Sequence, residues 1–321
     1  MAQFGEVSRA IAAVTLAMLA CLLPSCSTAE DPNGETEPRH TASISSTPSR
    51  QTASESPSPR PHADQPIGRI PTVPATHDAA ALARQLDRAA ASIRAPGATT
   101  SDMRSAAEFQ QLAVRALVTA PGAFLRRVMA RLHPHTARDV RSDVRAGTLL
   151  HSMSEPQQQL PSWRIVTPRP AAELFGYYKR AQRRTGVSWT YLAAIHLVET
   201  RMGRVRGTST AGAQGPMQFL PSTWDLYGGR GDINDPRDAI LAAARLLKHH
   251  GAPTDMADAL WHYNPSDNYV GAVLEYARTM QRSASAYRGY WHWRVFYSHA
   301  RATYVLPVGY PEKRPVPLPE S

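Results

Sequence analysis

The sequence predicts a mainly α protein: a helical block, a second helical domain that carries the chemistry, and a small β appendage at the C-terminus. Three observations predict it. From residue 77 onward apolar residues recur at three- and four-residue spacing, the period of a helix with one dry face. Prolines and glycines punctuate that pattern at intervals that a helix fills. No alternating strand pattern appears until the last forty residues, which hold 8 of the chain's 24 aromatics. Length and composition agree: 321 residues at 42% apolar content suffice for a core, and at roughly 100–200 residues per domain they allow two units. Two cysteines exclude a disulfide scaffold and a Cys-rich zinc module.

Taken in order, residues 1–26 read as an address. Arg9 precedes the apolar run Ala10–Leu23, which is too short to span a bilayer as a helix but suits the apolar region of a secretory signal. It ends at Leu23-Pro24-Ser25-Cys26. That stretch resembles a bacterial lipoprotein box, with Cys26 as the lipidated residue and Pro24 departing from the small residue usual there. The alternative is a plain signal peptide cleaved nearby. Under the lipoprotein reading Cys21 leaves with the signal, and the chain is exported and anchored to a membrane through Cys26. Residues 27–76 follow as a tether without order of its own. Residues 27–75 carry 9 Pro, 14 Ser or Thr and no Phe, Trp or Tyr, so nothing offsets the entropy of ordering them. A flexible linker of this length has an end-to-end distance of about 40 Å.

A helical support module, with no catalytic constellation of its own, is expected over 77–160. Helices are predicted over Ala79–Ala91, over 101–118 behind a Thr100 or Ser101 cap, and around Phe124, Leu125, Val128, Met129 and Leu132. The net charge of +10 comes from 33 Arg and 3 Lys against 26 acids. Its excess falls mainly in residues 76–185 (+9) and 281–321 (+4), whereas residues 186–280 sum to −1. A nucleic-acid reader concentrates its charge on the reading element. Here the motif-rich stretch is neutral and the chain is expected outside the cytoplasm, so nucleic acid is excluded as a partner. A basic flank fits loose attraction to an anionic surface such as a wall polymer or lipid head groups.

The second domain is expected over 161–310, with helices at 171–184, 188–202, 221–227, 236–250, 255–262 and 266–281. In Ser188–Met202, Leu192, Ile195 and Met202 mark an apolar stripe, and Glu199 falls inside it, four residues after Ile195. A carboxyl on a dry face is partly desolvated, which favours its neutral form. Such a group can protonate a glycosidic oxygen. The competing reading is a buried glutamate paired with Arg201 or Arg204. The run Ser209–Trp224 then supplies a glycine-punctuated loop, in which Gly212 and Gly215 permit tight turns. Gln218 within it offers a donor and an acceptor suited to sugar amides and hydroxyls. Farther on, Tyr263, Asn264 and Tyr269 combine stacking with hydrogen bonding.

In this order the pieces resemble the lytic transglycosylases of the soluble-transglycosylase and goose-type-lysozyme superfamily, closest to the membrane-bound lytic transglycosylase B group. The resemblance rests on Val198-Glu-Thr-Arg-Met-Gly203, Ala211–Ser222, Ile233–Ile240, and Tyr263-Asn264 with Tyr269, and it spans about residues 170–280. It implies a lysozyme-like α fold acting on the glycan strands of peptidoglycan. The bond cleaved would join N-acetylmuramic acid to N-acetylglucosamine, leaving a 1,6-anhydromuramic end. Carried over by position, Glu199 is the single acid and base and Ser209 hydrogen-bonds near it. Gln218, Tyr263, Asn264 and Tyr269 line the subsites. One carboxylate suffices when the substrate's own C6 hydroxyl is the nucleophile, whereas a hydrolase needs a second group.

Met202 departs from the aromatic frequent in this group. Gly228–Asp235 looks like a shortened calcium loop, but Asp232, Asn234 and Asp235 fall short of the six to eight oxygens that ion takes. Neither a metal nor a cofactor is expected, and His196 is read as a structural histidine. A hydrolytic muramidase and a non-catalytic wall-binding lipoprotein on the same fold stand as alternatives. The aromatic-rich segment from Tyr287 with Thr303–Pro307 predicts a short hairpin packed on the domain, and residues 311–321 a flexible tail. No protein partner is identified by the sequence.

Overall fold

The structure is a computed structural model that describes residues 78–318. The expected signal with Cys21 and Cys26, and the tether over 27–76, lie outside the described residues. The described chain is mainly α, as predicted.

The first two helices begin at side-chain caps and stop at proline signals. Helix α1 (Ala79–Arg94) opens on Asp78, whose Oδ1 accepts the Ala81 N–H at 2.8 Å, and it stops ahead of Pro96. Helix α2 (Thr100–Thr119) opens on Thr99 and stops ahead of Pro121. Helix α3 is Gly122–Met129. Leu82, Leu86, Leu117, Phe124 and Val128 pack together among these three, in a core that Ala137, Val140 and Val144 complete from the next helix.

Helix α4 (Pro134–His151) was not expected from the sequence. Its dry face is made of Ala137, Val140, Val144 and Ala146, interrupted by buried Ser142 and Asp143. Small and polar residues on a buried face erase the large-apolar period that signals a helix. Tertiary partners accept them: the Tyr290 hydroxyl donates to Asp143, whose carboxyl burial pushes up to about 8.

The motif-bearing helices follow as α5 (Ala171–Thr185), α6 (Trp189–Thr200), α7 (Pro221–Tyr227), α8 (Pro236–His249), α9 (Met256–Tyr263), α10 (Asp267–Arg282) and α11 (Ser285–Trp291). Their shared core also takes in Ala89, Ile93, Ala106, Ala107 and Ala146 from the first block. Helix α11 stands where the aromatic-rich segment was expected to be extended. The hairpin itself is present as β3 (Val295–His299) and β4 (Ala302–Leu306), with Val295 opposite Leu306. Two short pairings add to the expected strands. Arg164–Ile165 (β1) pairs antiparallel with Val205–Arg206 (β2), and Val316–Pro317 (β5) pairs with β4 inside the expected tail. A third apolar cluster, from Ile165, Val205, Val295, Tyr297, Leu306 and Tyr310, holds this layer together.

Candidate active site

Glu199 is the penultimate residue of α6, and α6 is dry on nearly every side. Leu192, Ala193, Ala194, Ile195 and Leu197 are fully buried, and Glu199 is 7% exposed. The expected apolar stripe is therefore one side of a helix that runs through the core.

The carboxyl has one close partner: the Tyr269 hydroxyl donates to Glu199 Oε1 at 2.6 Å. Burial raises the Glu199 pKa to about 8, and the Tyr269 hydrogen bond opposes that rise. The Tyr269 and Tyr263 hydroxyls are pushed well above the ordinary range by burial, and the neighbouring Glu199 adds to it. Among the described residues no Arg, Lys or second carboxylate bonds to Glu199. Arg201 donates from Nη1 to the Leu197 carbonyl at 3.1 Å, and Arg204 from Nη2 to the Trp291 carbonyl at 2.6 Å. The arginine-paired alternative is thus not what the structure contains.

Behind Glu199 the helix ends in an uncommon backbone. Arg201, Met202 and Gly203 have φ of 52°, 60° and 81°, three consecutive left-handed residues. That conformation is strained for residues with a Cβ and persists where the surroundings enforce it. The enforcing contacts are visible. Thr200 Oγ1 donates to the Pro216 carbonyl at 2.6 Å and accepts the Gly203 N–H at 3.1 Å. The Tyr263 hydroxyl donates to the next carbonyl, Met217, at 2.5 Å. The glycine-punctuated loop is thereby fastened at two adjacent carbonyls, one from α6 and one from α9.

Within that loop Gln214 and Phe219 exchange both backbone hydrogen bonds, at 2.8 and 2.9 Å. Gly215 has φ of 72°, and a Cβ there would collide with the Ile233 carbonyl oxygen. No other residue fits.

Gln218 is 5% exposed with φ of 49°. Its Nε2 donates to Gly215 O at 2.9 Å, while its buried Oε1 has no partner. The donor half is therefore engaged by the loop and the acceptor half is free. Ser209 is buried, and its Oγ accepts the Ala213 N–H at 2.9 Å, closing the tight turn around Gly212. No hydrogen bond joins Ser209 to Glu199 among the described residues.

Tyr263 and Tyr269 lie nearly parallel, 5° apart with centroids at 6.4 Å, and Phe219 meets Tyr263 edge-on at 5.8 Å. Asn264 is buried at the end of α9, its N–H bonded to the Leu260 carbonyl at 3.0 Å. The structure thus gathers Tyr269 and Glu199 by direct contact. Gln218 and Tyr263 join through the loop.

His196 is fully buried. Its Nδ1 meets the Tyr178 hydroxyl at 2.7 Å, and burial lowers its pKa to about 3, with Arg206 adding to the effect. In Gly228–Asp235 the carboxylates hold backbone: Asp232 Oδ1 accepts the Asn234 N–H at 2.8 Å, and Asp235 caps α8 through the Arg237 N–H at 2.7 Å. Among the described residues no three His, Cys, Asp or Glu side chains gather in a way that would hold a metal.

Sequence reasoning missed Thr200, which ties the catalytic-candidate helix to the loop. The signal available was a β-branched hydroxyl at a helix end directly after the glutamate, a weak one without the fold. It also missed that the Met217 and Pro216 carbonyls are anchor points, since backbone atoms leave no mark in a side-chain pattern.

With that geometry in place, residues 176–285 match the family described as the transglycosylase SLT domain. The match runs from within α5 to the start of α11 and contains each of the five helices between them. It supports a lysozyme-like enzyme domain of the lytic transglycosylase superfamily that acts on peptidoglycan, and with it a place in the cell envelope. Among curated proteins and among solved structures, no relative matches.

Proposed function

We propose that the chain is an exported peptidoglycan lytic transglycosylase of the membrane-bound lytic transglycosylase B type. It would cleave between N-acetylmuramic acid and N-acetylglucosamine and leave a 1,6-anhydromuramic end. One observation carries the reading: Glu199 is buried, bonded to a single hydroxyl, and without a charged partner.

The chemistry follows from that isolation. At neutral pH the carboxyl carries its proton, so it acts first as an acid and gives the proton to the glycosidic oxygen as the bond to the muramic C1 breaks. The resulting carboxylate is held by the Tyr269 hydroxyl, a charge-assisted bond stronger than the neutral one it replaces. The C6 hydroxyl of the same sugar then attacks C1 and passes its proton to Glu199. A 1,6-anhydro bridge forms, no water is consumed, and the enzyme regains its starting protonation. No cofactor takes part in these steps.

Roles for the other residues rest on their groups. Gln218 Oε1 is a buried acceptor without a protein partner, suited to a sugar N–H or O–H. The Tyr263 and Tyr269 rings give a stacking wall, Asn264 adds polar contact, and Ser209 shapes the loop against which the glycan lies. A lipid anchor on Cys26 and the tether would let the domain reach into the wall, while exposed arginines of the first helices favour anionic polymers.

The test is a digest of purified peptidoglycan, read by mass spectrometry. Anhydro-ended muropeptides that vanish in Glu199→Gln are the expected result. Reducing ends instead would assign a hydrolytic muramidase, and no cleavage by the unaltered protein would overturn both enzymatic readings in favour of a wall-binding lipoprotein.

A further inference from the structure

Helix α4 carries no motif and lies outside the family match, in the block expected only as a support module. It nevertheless lies antiparallel along the whole of α10, the helix that carries Tyr269. Asn268 Nδ2 donates to Ser152 Oγ at 3.1 Å near one end. Arg145 meets Glu275 at 3.5 Å toward the middle. Arg282 reaches Asp139 and Ser142, each at 3.0 Å, at the other end. Between these, a Cβ placed on Gly271 would lie 2.8 Å from Leu149 Cδ1. The absence of a side chain at 271 therefore leaves room for the end of Leu149, which fills the space between the two helices.

These contacts bracket one residue. Met153 touches the α10 cap Ser266 (Oγ to Sδ 3.7 Å), Ser152 holds Asn268, and Leu149 sits against Gly271. Tyr269 is between them in sequence and reaches toward the other side of α10, where its hydroxyl meets Glu199. Helix α10 is also tied to α6 near its C-terminal end, where Gln281 Nε2 donates to Thr190 Oγ1 at 3.4 Å. Helix α10 is thus held between α4 and α6. Close-packed interfaces transmit a change of a methyl group as a displacement, so the depth at which α10 sits decides the length of the Tyr269–Glu199 bond.

We propose that α4 is a positioning element of the active centre, with Leu149 as the positioning residue that seats α10 at the depth where Tyr269 bonds Glu199. The inference rests on the role proposed for Glu199, but its first readout needs no substrate.

The experiment titrates the Glu199 carboxyl by NMR in the folded protein and pairs this with kcat and KM on glycan strands. The groups facing Glu199 are Tyr269 of α10 and Tyr263 of α9, both neutral throughout the range. A loosened Tyr269 bond removes the influence that lowers the Glu199 pKa, so the titration moves upward. Leu149→Ala is expected to move it by about half a pH unit or more, with kcat down about threefold to tenfold and KM within about twofold. Leu149→Met, which keeps the volume, should restore both. The decisive arm is a double-mutant cycle: after Tyr269→Phe, Leu149→Ala should produce no further movement, because both act through one bond. An unchanged titration in Leu149→Ala, or movement additive with Tyr269→Phe, overturns the proposal. Should Leu149→Ala fail to fold, Leu149→Val removes a single methylene from the same seam and is read the same way. If the titrations behave as expected but no glycan is cleaved, the enzymatic reading falls and the positioning stands.

Discussion

Burial beside one hydroxyl keeps the proton on Glu199 up to about pH 8, whereas the same carboxyl in the unfolded chain loses it near 4.5. The folded state therefore binds this proton more tightly than the unfolded state does. That contribution to stability is fully present below about pH 4.5, declines as pH rises, and is gone above about pH 8. Glu199→Gln keeps the shape and cannot ionise. It should match the unaltered protein in Tm to within about 2 °C at pH 4.5 and exceed it at pH 8 by roughly 10 °C, since carrying a carboxyl from 4.5 to about 8 is worth on the order of 4 kcal/mol there and a domain of this size moves by about 2–4 °C per kcal/mol. Calorimetry at the two pH values checks this, and equal Tm at both would place Glu199 in water. The same carboxyl sets the rate: as the acid it works only while protonated, so kcat should fall on a basic limb near pH 8. Tyr269→Phe removes the bond that lowers the Glu199 pKa and also the partner of the ionised product. The limb should move to higher pH while kcat at pH 6 drops about tenfold or more. Pre-steady-state or steady-state pH profiles read both effects.

Among the elements, the loop from Ser209 to Phe219 is the one most exposed to a single change. Gly215→Ala forces a Cβ into the Ile233 carbonyl from a left-handed backbone, and the loop must leave the place where Thr200 and Tyr263 hold it. Activity should fall more than tenfold, with a loss of about 1–3 kcal/mol in unfolding free energy. Chemical denaturation with a glycan digest on the same sample separates the two. This loop was readable in advance because its requirement is local: a glycine at a tight turn appears in the sequence as a glycine. Helix α4 was not readable, because its buried face breaks its two valines with Ala, Ser and Asp, and such a face is dry only where α10, Tyr290 and the first three helices cover it. The same reason explains Gln218. Its residue type suggested a donor and an acceptor for a sugar, but its left-handed backbone turns Nε2 onto the Gly215 carbonyl and leaves the acceptor alone.

At the scale of the whole described chain, the first block and the motif-bearing helices share buried residues. Ala106, Ala107 and Ala146 belong to the same apolar cluster as Ile195 and Tyr276. The Gln111 side chain also clamps the backbone of Arg294, accepting its N–H at 2.7 Å and donating to its carbonyl at 2.9 Å. A chain that starts at residue 161 would expose the outer side of α10 and leave the Tyr290 hydroxyl without Asp143. Such a truncation should give insoluble or unfolded protein, whereas residues 78–318 should melt cooperatively. Soluble yield and a thermal scan of the two chains decide it. A soluble, cooperative short form would show that the block only decorates the domain.

The sequence by itself determined the helical class, the likeness carried by residues 170–280, and the placement of a carboxyl in an apolar stretch. Each of these is written in local spacing and residue type, which survive without knowledge of what packs where. Only the tertiary structure decided that α6 is dry all round, that Glu199 meets Tyr269 and not an arginine, and that α4 backs α10. Those outcomes depend on contacts between residues far apart in the chain, seventy positions in the case of Glu199 and Tyr269. A hydrogen bond across that separation exists only once two helices have been brought to a particular depth, and no periodicity along the chain encodes depth.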